Sequence, residues 1–144
     1  MRSLAQPAAR AKNQVCFPVA YNILIVEDEM IIAMEIAAVI KKMGHAVAGT
    51  AMKGEDAISL AELKHPDVVL MDIFLKGMMD GITAAEIIYH THKIPVIYLT
   101  ANTDVHTLER AMKTKPFGYL TKPVNAQELH GAIERAIYKS RHMQ

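Results

Sequence analysis

The sequence predicts an α/β domain: a doubly wound, five-stranded parallel sheet with helices on both faces. Three observations predict it. Short, branched apolar runs recur along the chain. Each is followed by a stretch with helical spacing, so a strand–helix unit repeats five times, as crossover connections between parallel strands require. Polar side chains gather where the runs end, as they do when ligands bind beyond the carboxyl ends of strands.

Taken in order, Ile23-Leu24-Ile25-Val26 has the character of a strand buried on both faces. Residues 29–43 are helical in spacing, with Ile31, Met34 and Ala38 on one face and Gly44 at the stop. His45 to Ala51 reads as a weaker strand, and about 53–64 as a helix ended by Pro66. Val68-Val69-Leu70-Met71 is the third strand, followed by a loop and a helix from about Gly81 to His90. Pro95 to Leu99 gives the fourth strand and Asp104 to Lys113 the fourth helix. Gly118-Tyr119-Leu120 is a brief fifth strand. Asn125 to Arg141 closes the pattern as an amphipathic helix with Leu129, Ile133, Ala136 and Ile137 inward.

The 144 residues suit one domain, which residues 21–142 are expected to form. Residues 1–20 differ: Arg2, Arg10 and Lys12, five alanines, two prolines and no acid. Gln6, Pro7 and Arg10 interrupt the apolar stretch a signal peptide would need, so a disordered leader is expected. Sixteen basic against 15 acidic residues leave a net charge of +1, which argues against direct nucleic-acid binding. Cys16 stands alone, excluding an internal disulfide or a cysteine-built zinc site. No apolar run is long enough to cross a membrane. A cytoplasmic location is expected.

Strand one runs into Glu27-Asp28-Glu29, strand three into Asp72, strand four into Thr100 and strand five into Lys122. If the strand order is 2-1-3-4-5, strands one and three are neighbours and Glu27, Asp28 and Asp72 converge. Carboxylates so close repel one another; either one takes up a proton or a cation sits between them. Hard oxygen donors with room for water suit Mg²⁺, and such sites commonly handle phosphate. Lys122 adds a fixed positive charge and Thr100 a hydroxyl donor. Each residue also has a plainer reading: acids at a helix start, an aspartate in a turn, a threonine at a helix edge, a surface lysine. Four together at strand ends favour a site. Most of the ten methionines are expected as core filler, with Met78-Met79 a candidate contact patch in a loop. His90 and His92, two apart, point to different helix faces and make a poor metal pair.

The segments Ile23–Glu29, Val68–Asp72, Tyr98-Leu99-Thr100-Ala101 and Gly118–Pro123, in that order, resemble the receiver domain of two-component response regulators, over about residues 22–140. The resemblance implies a flavodoxin-like receiver fold and a phosphoacceptor function with slow self-dephosphorylation rather than enzymatic turnover. Asp72 would accept a phosphoryl group from the phosphohistidine of a sensor histidine kinase or phosphotransfer protein. Asp28, Asp72 and the Phe74 carbonyl would ligate Mg²⁺, with Glu27 acting through water. Lys122 and Thr100 would contact phosphoryl oxygens, and a cis Lys122–Pro123 bond would aim the lysine at the site. Thr100 and Tyr119 would form a switch that alters the face of helix four, strand five and helix five, where a downstream protein or a second copy would bind. Glu27 replaces the more frequent Asp, and the loop Ile73–Gly81 is one residue longer than usual, as in a subgroup often linked to sensor kinases. Phe74 and Asn102 occupy positions that tune phosphoryl lifetime. The resemblance leaves open a stand-alone receiver or part of a longer sensor protein.

Competing functions are weaker. An aspartyl-phosphate phosphohydrolase would want an acid where Phe74 stands, and a flavin or nucleotide domain would want glycines after strand one. A binding module that is never phosphorylated would not need the whole set.

Overall fold

The structure is a computed structural model in which residues 19–101 and 104–143 are described. Most of the expected leader, residues 1–18, and Asn102 lie outside the described residues. The elements follow the expected alternation: β1 (Asn22–Val26), α1 (Met30–Lys42), β2 (Ala46–Ala51), α2 (Gly54–Lys64), β3 (Val68–Asp72), α3 (Gly81–His92), β4 (Val96–Thr100), α4 (Val105–Lys113), β5 (Gly118–Thr121) and α5 (Ala126–His142). All five strands are parallel, in the order β2-β1-β3-β4-β5.

The period-2 alternation of strand side chains divides the interior into two cores. Ile23, Ile25, Leu70, Ile97 and Leu99 face α1 and α5, where Ala33, Ile36, Ile40, Leu129, Ile133 and Ile137 cover them. Leu24, Val26, Val69, Met71, Val96 and Tyr98 face the other way, against Ala57, Ala61, Ala84, Ala85, Ile88 and Ala111. β3 and β4 are buried along their whole length, as central parallel strands must be, whereas β5 and most of β2 are partly open as edges. Asp80, Asp104 and Asn125 cap α3, α4 and α5 by accepting the N–H of Thr83, Thr107 and Glu128 at 2.7–2.9 Å.

The face of α1 that carries Ile31, Met34 and Ala38 is the exposed one; Ala33, Ile36 and Ile40 are buried against the sheet. The helix is apolar nearly all round, and both stripes have the same i, i+3, i+7 spacing, so periodicity does not choose between them. Ile31 is left 73% and Met34 64% exposed. The expectation for methionine is overturned: Met30, Met34, Met52, Met112 and Met143 are all exposed, and only Met43 and Met71 among the described methionines are buried core filler.

At the amino ends of the strands, the chain is tied by polar contacts. The Tyr21 N–H donates to His45 Nδ1 at 3.1 Å, the Asn22 N–H to Asp67 at 2.7 Å, and Arg141 reaches Asp67 at 3.2 Å while lying over the Tyr21 ring. His45 is buried, and desolvation first, then the charge of His130, lower its pKa below 6.5, against the weaker opposing pull of Glu134 and Asp67. A histidine held neutral in the folded state charges more readily when unfolded. Its contribution is therefore intact above pH ~6.5 and declines as pH falls below that value. The urea midpoint is expected to drop between about pH 7 and about pH 5, and the drop to shrink in His45→Gln, whose amide oxygen can still accept the Tyr21 N–H. An equal drop in both proteins would remove His45 as the cause.

Candidate functional site

Register builds the site. Val26 pairs with Met71, which sets Glu27 beside Asp72, and Asp72 pairs with Leu99, one residue before Thr100. Thr100 pairs with Thr121, so Lys122 leaves the sheet at the same edge, its N–H donating to the Thr100 carbonyl at 2.8 Å. Four strands thus end in Glu27-Asp28, Asp72, Thr100 and Lys122 at one rim.

Carboxylate oxygens of Glu27, Asp28 and Asp72 lie within 4.8 Å of one another. Glu27 and Asp72 are buried and Asp28 is half-buried. The ammonium of Lys122 bridges two of them, pairing closely with Glu27 Oε1 and at 3.2 Å with Asp72 Oδ2. Three further oxygens are held by backbone donors: Glu29 N–H to Glu27 Oε2, Phe74 N–H to Asp72 Oδ1 and Lys76 N–H to Asp28 Oδ2, each at 3.1 Å. The acids are not spent on capping, since Glu29, at the N-cap of α1, makes no side-chain cap bond. Their donor set fits a hard divalent cation: three carboxylates, two of them buried, are only partly offset by one lysine.

The electrostatics show the strain of that convergence. Burial, then the charge of Glu27, push the Asp72 carboxyl up from 3.8 to about 6, while Lys122 and the Phe74 amide oppose the rise. Burial alone would lower the Lys122 value, but the hydrogen bond to Glu27 and the charges of Asp72 and Glu27 outweigh it and raise it.

The other expected residues take different places. Thr100 is buried at the end of β4. Tyr119 sits one strand further out, half-buried and in register with Tyr98. The Phe74 ring is half-exposed. The Lys122–Pro123 peptide is cis.

Three contributors were not evident from the residues alone. Gly81 starts α3 against the end of β3; a Cβ there would lie 2.0 Å from the Asp72 carbonyl oxygen, so no side chain is tolerated. The Lys76 amide reaches Asp28 across 48 residues of sequence, and its partner is a backbone atom that composition does not mark. Arg110 of α4 donates to Asp80 at 2.6 Å and to Thr83 at 3.3 Å, joining α4 to the start of α3. Against the upward pull of burial, those Arg110 and Thr83 bonds hold the Asp80 carboxyl below the ordinary range.

Comparison with known proteins agrees with this geometry. Residues 23–134 match the family described as Response regulator receiver domain. The chain is 38% identical over 120 residues to the transcriptional regulatory protein PdtaR of Mycobacterium tuberculosis, covering 83% of this chain and 58% of that one. It is 30% identical over 139 residues to the phyllosphere-induced regulator PhyR of Methylorubrum extorquens, covering 96% of this chain and 50% of that one. The chain therefore spans little more than half the length of these relatives. A signal receiver domain of a modulated diguanylate cyclase from Desulfovibrio desulfuricans superposes with a TM-score of 0.84 at 37% identity, over 88% of this chain and 100% of that one.

A raised acidic pKa has a definite sign. Between about pH 4 and about pH 6 the folded state holds the Asp72 proton more tightly than the unfolded one, so this contribution to stability falls as pH rises and stays lost above that window. Asp72→Asn is expected to raise Tm by about 3–6 °C at neutral pH without divalent cation, equivalent to ~1–2 kcal/mol. Added Mg²⁺ should stabilise the original protein more than the variant. Thermal melts with Mg²⁺ and with EDTA check both; a lower Tm for the variant without cation would contradict the reading of mutual repulsion.

Proposed function

Because the chain belongs to the response regulator receiver domain family, we propose that it is the phosphoacceptor module of a two-component system and that Asp72 is the acceptor. The observation that carries this reading is the close set of Glu27, Asp28 and Asp72 bridged by Lys122. An Asp72 oxygen attacks phosphorus, the phosphorus–nitrogen bond of a phosphohistidine breaks, and the imidazole leaves with the bonding pair. Asp28, Asp72 and the Phe74 carbonyl would hold Mg²⁺, with Glu27 acting through water. When bound, the ion neutralises phosphoryl oxygens. Lys122 then exchanges part of its Glu27 and Asp72 contact for a phosphoryl oxygen, and the Thr100 hydroxyl donates to another. An aspartyl phosphate formed in this way is a signal, and turnover is its slow hydrolysis.

Output arises from the new charge. Phosphorylation brings three strong acceptor oxygens to the rim beside Thr100. Movement of Thr100 toward them frees space for Tyr119 to turn inward, altering the face of α4, β5 and α5 that a downstream protein or second copy would meet. A population inversion from 1:99 to 99:1 needs about 5.5 kcal/mol. Two or three charge-assisted hydrogen bonds of about 1.5–3 kcal/mol each supply that amount.

The phosphodonor also needs a place to sit. The exposed α1 stripe of Ile31 and Met34 adjoins a surface cavity lined by Met30, Met34, Met52 and Glu27. This apolar rim opens beside the acidic set and suits the apolar face of a histidine kinase or phosphotransfer protein. Among the described residues, no helix is long and apolar enough to cross a membrane.

Acetyl phosphate with Mg²⁺ is expected to add one phosphoryl group at Asp72, seen by mass spectrometry, and Asp72→Asn or EDTA to abolish it. An unchanged mass in the presence of Mg²⁺ would leave a binding module that is never phosphorylated. Phe74→Asn is expected to shorten the life of the phosphorylated chain severalfold, because the half-exposed ring stands two residues from the acceptor and shields it from water. The decay of radiolabelled protein measures this, and an unchanged rate would remove the shielding role.

A further inference from the structure

We infer that Met30, Met34 and Met52 form an oxidation site, at which a hydroperoxide converts an apolar docking rim into a polar one and so blocks phosphoryl transfer from protein donors. The inference rests on the docking role proposed above and adds its regulation. Met30 and Met34 are four apart on α1 and share one side of it; both are 64% exposed, and Met52, just after β2, is 44% exposed. All three line a single cavity of about 330 Å³ whose other walls are Glu27, Ala33, Ala37 and Thr50. By contrast, Met43 and Met71 are buried in the two cores, where the same reagent would have to unfold the chain. Among the exposed methionines, Met30, Met34 and Met52 are the three that share the cavity beside the acidic set.

The chemistry is a two-electron oxygen transfer. A sulfur lone pair attacks one peroxide oxygen, the oxygen–oxygen bond breaks as a sulfur–oxygen bond forms, and the second oxygen leaves as water. Sulfur is oxidised to the sulfoxide and hydrogen peroxide is reduced. The product is a strong acceptor with no charge, so the field at Asp72 and Lys122 changes little. An apolar partner surface, however, would have to bury three sulfoxide oxygens without donors. Sulfoxide reductases reverse the change, which makes the site a switch rather than damage.

The test compares two phosphate donors before and after treatment with dilute hydrogen peroxide. Acetyl phosphate reports on Asp72 alone. The protein donor is whichever autophosphorylated histidine kinase transfers fastest to the untreated chain in a panel of purified kinases. Peptide mass spectrometry confirms sulfoxide at positions 30, 34 and 52. Oxidation is expected to slow transfer from the kinase about fivefold or more while leaving acetyl phosphate labelling unchanged. The variant combining Met30→Leu, Met34→Leu and Met52→Leu keeps an apolar rim and the other exposed methionines, Met78, Met112 and Met143. Whatever its starting rate, its transfer from the kinase should change less than about twofold on peroxide treatment, and a sulfoxide reductase should restore the oxidised original. An equal loss in the leucine variant, or no loss in the original once sulfoxide is confirmed, would overturn the proposal. So would absence of sulfoxide at these positions when Met78 is oxidised. Failure of Asp72 to accept phosphate from either donor before oxidation would instead overturn the acceptor reading, and this inference with it.

Discussion

Carboxylates do not gather by choice, and the packing of β1 against β3 gives Glu27, Asp28 and Asp72 none. Once Ile23, Ile25 and Leu70 turn to one core and Leu24, Val26 and Met71 to the other, slipping either strand by one residue would put apolar groups on the wrong face. The register is therefore fixed by the interior, and it delivers Glu27 beside Asp72 at the strand ends. Lys122, delivered by β5 from two strands away, is the counter-charge that makes the convergence tolerable. The hydrophobic interior thus holds the acids together, and one buried ammonium keeps the cost low enough for the domain to fold.

Glu27 shows how a one-carbon difference matters. Its longer side chain spans the distance to the lysine while its second oxygen takes the Glu29 amide. The side chain is therefore already occupied before any phosphate arrives, and its pairing with Lys122 defines the resting arrangement from which phosphorylation would draw the lysine away.

The strand–helix alternation and the rim residues were legible because both depend on apolar runs and on the residues immediately after each run. Asp72, Thr100 and Lys122 needed only the assumption that strand ends share an edge. The illegible part lies in choices that periodicity leaves degenerate or in atoms common to every residue. The stripe of α1 that faces the sheet is one such choice, since Ile31 and Ala33 begin equally apolar rows. Net charge misleads in a related way. A value of +1 does not say where the charges sit: helices running opposite to the strands place Lys41, Lys42, Lys64, Lys113, Lys139 and Arg141 in last turns at one end, while Glu27, Asp28 and Asp72 lie at the other. The Arg110 contact with Asp80 and Thr83 joins segments 30 and 27 residues apart through a bend that no local pattern announces.

Gly81 bears on how the segment after Asp72 can vary. Its N–H closes onto the Ile73 carbonyl at 2.9 Å, and its missing side chain lets α3 begin in contact with the end of β3. The intervening residues therefore rise and return like an arch on a single narrow footing. Lengthening or shortening such an arch moves its crown and neither support, so a change of length there would reshape what solvent meets and leave the helix and Asp72 where they stand.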